Sequence, residues 1–269
     1  MRANLLVVAG LGASCGGFID HQAATSTLKI LKRANEVAAH EADLQLAREA
    51  LPAGIFQLAA FAKPYPDEPA FAEMHTESLC QYAAAFVFDD WEDASLGARD
   101  PAPIAARLQL LLHECAMANT PANTPNNMRW LATTDALLIA IDPVHNLGKL
   151  PATIATLEKT IAVAPGEHEA DSEMLLGTLR AAMSPLFHGP DGGAEFDAAK
   201  KQLGEGALLV DVMFARSVAV ARKDRALFEA RLHHVLEADP ARWPERRLSN
   251  ELARQKARRY LAAEATLLP

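Results

Sequence analysis

Only three cysteines, Cys15, Cys80 and Cys115, occur in the 269 residues. That excludes a disulfide framework, and no Cys-x-x-Cys pair is present to suggest zinc. No His-Glu-x-x-His occurs either; His113-Glu114 and His168-Glu169 lack the second histidine. His233 and His234 are adjacent, so on a helix they diverge by about 100° and cannot chelate one ion together. They read as surface or groove residues. Lys plus Arg number 26 against 34 Asp plus Glu, and no basic block interrupts the net charge of −8. Nucleic acid is therefore not an expected partner. No apolar run approaches the roughly 18 residues of a membrane span. No paired carboxylates or activated nucleophile can be argued. The reading is that the protein is not an enzyme, with no catalytic residue, cofactor or metal. What is present is a chain half apolar, enough for a sizeable core.

Beyond residue 20 nearly everything follows helical periodicity. Leu44, Ala47, Leu51, Ile55 and Leu58 form one apolar stripe, with a kink or break expected at Pro52. A second helix is predicted over 68–94, a third over 102–119, and others over 128–141, 153–163 and 174–182. Phe196 to Val220 reads as one long helix, apolar nearly all round in its second half, which belongs at the centre of packing. Helices around Phe228–Leu236 and Leu248–Leu261 complete the chain. Gly189-Pro-Asp-Gly-Gly193 is a tight loop. Phe56…Pro64, Leu157…Pro165 and Leu232…Pro240 keep the large residue and terminal proline of a tetratricopeptide repeat, in degenerate form. The expected fold class is all-α, TPR-like stacked helix pairs with a concave face.

The stretch Ala9-Gly-Leu-Gly-Ala-Ser-Cys-Gly-Gly17 has three possible meanings. A dinucleotide loop needs a second strand and an acid on it. A Gly-x-Ser-x-Gly elbow needs a sheet beneath it. An all-helical chain supplies neither. The remaining meaning is a bacterial lipoprotein leader. Its apolar run, Ala3 to about Ala13, has the length of a signal h-region, and Ala13 and Ser14 are small, as cleavage requires. The expected organisation is a signal peptide over 1–14, a tether and first helix over 15–42, and a helical domain over 43–262, with Cys15 lipidated. Export leaves Cys80 and Cys115 as an even pair. Two buried apolar cysteines are the preferred reading and a disulfide the alternative. Asp89-Asp-Trp-Glu-Asp93 is an acidic cluster around Trp91, either a solvated helix end, which is preferred, or a partner or cation site. Arg254, Lys256, Arg258 and Arg259 suit a helix's negative end or a solvated face.

The order of several phrases resembles one family. They are Asp43-Leu-Gln-Leu-Ala-Arg-Glu-Ala-Leu-Pro52, Tyr82-Ala-Ala-Ala-Phe-Val87, Leu175-Leu-Gly177 with Gly189-Pro-Asp-Gly-Gly193 and Phe196, Asp224-Arg-Ala-Leu-Phe228 with Val235-Leu236, and Leu248-Ser-Asn250 with Leu252-Ala-Arg-Gln-Lys-Ala257. Together they resemble the T component of tetratricopeptide-protein-associated TRAP transporters, the TatT family. The resemblance implies an exported, periplasmic, lipid-anchored helical protein of a bacterial envelope. It implies a homo-oligomer, a trimer by resemblance, that binds or delivers a ligand to the periplasmic solute-binding protein; a hydrophobic ligand is compatible with it. An aromatic segment of the family is reduced here to Arg129-Trp130-Leu131, which implies an altered ligand groove there. Trp130, and Trp91 of the acidic cluster, are the candidate partner or ligand contacts. An envelope scaffold without ligand transport is the alternative function.

Overall fold

The structure is a computed structural model that describes residues 11–269 except 66–67, 121–122, 167 and 188; the side chains of 11–24, 186 and 187 are also outside the description. Residues 1–10 of the expected leader and the side chain of Cys15 therefore lie outside the described residues. Among the described residues every regular element is helical. Helix α1 spans Leu11–Ala39 and α2 Leu44–Ala62. Asp43 caps α2, accepting hydrogen bonds from the Gln45 and Leu46 amides at 2.9 and 3.0 Å. Of the kink or break expected at Pro52, the break does not occur; α2 runs through it. Proline lacks an N–H, so the Arg48 carbonyl goes without its usual donor. Neighbouring packing of Leu51 and Ile55 on the core outweighs that loss.

Helix α3 (Pro69–Tyr82) passes through a π-turn at Ala83–Val87 into α4 (Phe88–Leu96). Then follow α5 (Ala102–Ala118), α6 (Pro125–Ile141), the short α7 (Pro143–Asn146), α8 (Leu150–Val163) and α9 (Glu169–Phe187). Helix α10 (Gly193–Leu203) ends earlier than the periodicity suggests. The single helix expected over 196–220 is interrupted at Gly204, whose φ of 76° is left-handed. Alpha-helix resumes as α11 (Leu208–Phe214), passes a second π-turn at Ala215–Ala219 and ends as α12 (Val220–Arg222). The apolar pattern hid this break, because two buried helices in tandem have the same composition as one. Helices α13 (Arg225–Glu237), α14 (Arg247–Ala262) and α15 (Glu264–Leu267) complete the chain.

Successive helices pack on each other in chain order: α2 on α3, α5 on α6, α6 on α8, α8 on α9 and α9 on α10. Helix α14 then returns to α2, so the last long helix meets the first part of the stack. A core between α11, α13 and α14 buries Leu208, Val212, Phe228, Leu232, Val235 and Tyr260. Full burial of such a side chain contributes roughly 1.5–3 kcal/mol. Gly192 explains the tight loop before α10. Its φ is 83°, and a Cβ there would meet the Gly177 carbonyl oxygen at 2.0 Å. Only two glycines allow this approach between the loop and α9.

Candidate functional site

Several polar centres interrupt this apolar packing, and two of them are built on a buried aspartate. The first joins α4 to α14. Asp89 and Glu92 are 1% and 7% exposed. Asp89 and Glu92 are therefore not on a solvated helix end, although Asp93 of the same cluster is exposed, and Lys256 and Arg259 are not on a solvated face. Lys256 Nζ lies 2.6 Å from Asp89 Oδ1 and 3.3 Å from Glu92 Oε2. Arg259 bridges both carboxylates. The Tyr260 hydroxyl donates to Glu92 at 2.6 Å, and Arg216, in the second π-turn, donates to it at 3.3 Å. The sequence shows the acids and the bases separately but not their juxtaposition across more than 160 residues.

Burial alone would raise the carboxyl of Glu92, but Lys256, Arg216, the Tyr260 hydroxyl and Arg259 hold it below the usual carboxylate range. Asp89 follows the same balance, with Lys256 and Arg259 outweighing burial. Burial would lower Lys256, yet the oxygen of Tyr260 and the carboxylates of Glu92 and Asp89 push it up. All three groups are thus charged at neutral pH. Buried charges persist only when paired in this way. The first π-turn precedes these acids and the second supplies Arg216. A π-turn shifts the side-chain register of a helix, and such turns recur at functional sites. Beside this centre Asp90 pairs with Arg48 of α2, and Trp91 is half-buried against Phe88, centroids 5.3 Å apart.

The second centre is Asp211 on α11. It lies within an apolar run of the sequence, where a lone acid in a buried helix signals a partner elsewhere. Its side chain is 2% exposed. Oδ2 accepts from Lys200 Nζ and Oδ1 from Arg231 Nη1, each at 2.7 Å. His234 Nε2 stands 4.0 Å from Oδ2. The Arg231 guanidinium lies 4.5 Å from the centroid of the Phe214 ring. A cavity of about 370 Å³ opens over these groups, with Asp197, Lys201 and Glu205 also on its wall. The break between α10 and α11 makes the room, and Asn250 fixes it. Buried Asn250 accepts from the Leu208 amide at 3.2 Å and donates to the Gly206 carbonyl at 3.0 Å.

Cys80 and Cys115 come together, Cα atoms 5.6 Å apart, in a buried cluster with Trp130. That spacing is within the span of a disulfide. Trp130 is 4% exposed and lies under the Arg129 guanidinium, 4.2 Å from its ring centroid. The ring packs this end of the fold and offers little surface to a partner. Among the described residues no group of His, Cys, Asp and Glu is arranged to hold a metal ion. No described helix is long and apolar enough to cross a membrane.

No curated protein matches the chain. A family model described as the TRAP transporter T-component matches residues 108–268. That span contains α6 to α15, the Asp211 cavity and the basic half of the first centre; α1 to α4 lie before it. The all-helical fold expected from the resemblance is the fold observed. Since the match covers more than half of the chain, the protein belongs to the TRAP transporter T-component family.

Proposed function

We propose that the protein is an exported, lipid-anchored subunit that holds a ligand and delivers it to the periplasmic solute-binding protein of a TRAP transporter. The observation that carries this reading is the family match over residues 108–268, which makes the chain an accessory component of such a transporter. Two features support the finer parts. The apolar N-terminal run ending at Cys15 fits a lipoprotein leader. The juxtaposed Cys80 and Cys115 fit a disulfide formed in an oxidising compartment. Trp91, half-buried beside the α4–α14 centre, is the tryptophan that a partner could reach.

Pull-down with the solute-binding protein tests the reading. A specific complex supports it; no complex at about 10 μM counts against delivery. Mass spectrometry of the exported protein tests the anchor, where an intact Met1 or cleavage elsewhere removes Cys15 from that role. Native mass spectrometry tests the trimer. The alternative, an envelope scaffold without ligand transport, draws on apolar side chains exposed on α2 and α5, Phe56 and Leu110 among them. Capture of other envelope proteins with no ligand bound would favour it.

A further inference from the structure

We propose that the outer face of α1, together with the turn Pro244–Arg246 beside it, docks on an anionic phospholipid surface. This goes beyond ligand delivery, and it rests on the anchored reading only for what brings the face to the lipid. The sequence holds no basic block, and the net charge is −8. The fold gathers a basic patch nonetheless. Helix α1 packs on α14 and on the turn Pro244–Arg246, which itself touches the turn Pro240–Arg242. Lys29, Lys32 and Arg33 of α1 and Arg242 are exposed, and Arg246 is half-buried. Among the described residues none of these five cations has an ion-pair partner; Arg242 alone meets a ring, that of Trp243. Arg247 and Arg254 of the adjoining α14 are by contrast paired with Glu251. From residue 25 to the end of α1, and on the two turns, the acids are Glu36 and Glu245. The patch therefore keeps an excess of positive charge.

Apolar side chains sit among the cations. Ile30 and Val37 are 65% and 72% exposed. On a helix Lys29, Ile30, Arg33 and Val37 fall within about 100° of arc. Leu28 and Leu31 are half-buried on the other side. A face of this kind suits a membrane interface: its apolar groups enter the headgroup layer and its cations meet lipid phosphates. The place of the face in the chain selects lipid over a protein partner. Cys15 and Lys29 lie in one helix, and a rise of 1.5 Å per residue places them about 21 Å apart. A lipid on Cys15 thus keeps the face close to the membrane, and contact fixes the tilt of the body on it. Acids of the body farther away than the Debye length, about 8 Å at physiological salt, oppose the contact little.

Co-sedimentation with vesicles tests this, using the chain from residue 15 with Cys15→Ser so that no lipid contributes. The protein should bind phosphatidylcholine vesicles containing about one-third phosphatidylglycerol, release them as salt rises, and leave pure phosphatidylcholine unbound. Lys29→Gln, Lys32→Gln and Arg33→Gln together should weaken binding by about 100-fold, at roughly fivefold for each cation. Lys63→Gln, Lys159→Gln and Lys223→Gln together remove the same charge elsewhere and should change binding by less than about threefold. Ile30→Gln with Val37→Gln should weaken it severalfold at every salt concentration, as loss of an inserted apolar group does. All of these side chains are exposed, so urea midpoints should stay with the parent's. No binding to the anionic vesicles, equal binding to pure phosphatidylcholine, or equal loss in the two cation sets would overturn the proposal. So would a triple α1 variant that keeps vesicle binding but no longer pulls down the solute-binding protein, which would make the face a protein dock. Mass spectrometry of the exported protein separates the two readings. A lipidated Cys15 without vesicle binding sinks this inference alone, and vesicle binding with an intact Met1 sinks the anchor alone.

Discussion

Lys256→Met removes the most buried cation of the α4–α14 centre while keeping its volume. Lys256 is 7% exposed at the side chain and lies within ion-pair distance of two carboxylates that are themselves 1% and 9% exposed. After the change, Asp89 and Glu92 share the one buried cation Arg259, with Arg216 reaching Glu92 from a partly exposed position. One negative charge is then buried without a full partner. Breaking a buried pair in this way costs roughly 3–5 kcal/mol, whereas an exposed pair costs about 0–1. For a protein of this length each kcal/mol corresponds to about 2–4 °C in Tm. The expected loss is therefore about 6–20 °C by thermal circular dichroism. Asp89→Asn on the Lys256→Met background should cost less than the two single changes added, because it removes the stranded charge. A single-variant cost below about 1 kcal/mol, or strict additivity, would refute the claim that the centre is desolvated.

The same centre sets a pH window. Asp89 and Glu92 are depressed in the folded state, so their contribution is present above the unfolded values near 4 and fades as pH falls through the folded ones. Lys256 is raised, so its share is present below about pH 10.4 and is lost at higher pH. The gap in urea midpoint between the parent and Lys256→Met, which isolates this centre, should be level between about pH 5 and 10 and shrink on both sides. Reducing the Cys80–Cys115 pair, separated by 35 residues, should lower unfolding free energy by about 3–4 kcal/mol; equal midpoints with and without reductant would show free thiols. Asn250→Ala should cost about 2–3 kcal/mol, since the Leu208 amide and Gly206 carbonyl lose their partner; a smaller cost would mean that the α10–α11 break is held by other contacts. Pro52→Ala should stabilise α2 by up to about 3 kcal/mol, read by the same urea titration, by restoring the donor to the Arg48 carbonyl.

What was legible in the sequence follows from the range of the forces involved. Helices are fixed by neighbours three and four residues apart, so the stripe Leu44–Leu58 announced α2 directly. The glycine loop before α10 was legible for the same local reason, and Gly177 as its partner entered only through the family phrase that pairs them. The break at Gly204 had a local signal, the helix-stopping Gly204-Glu-Gly206, which the apolar periodicity on both sides masked; only the cap that Asn250, more than 40 residues later, gives to the start of α11 is remote. The charged centres failed by the same logic. An Asp-Asp-Trp-Glu-Asp run is indistinguishable from a solvated helix end until α14 brings Lys256 and Arg259 to it. The warning available was Asp211, a single acid inside an apolar run, which no helix buries unpaired. Its cations are Lys200 on α10 and Arg231 on α13, which only the fold brings to it. A lone charge against the hydrophobic pattern thus locates a long-range contact that periodicity cannot, and here it also locates the cavity.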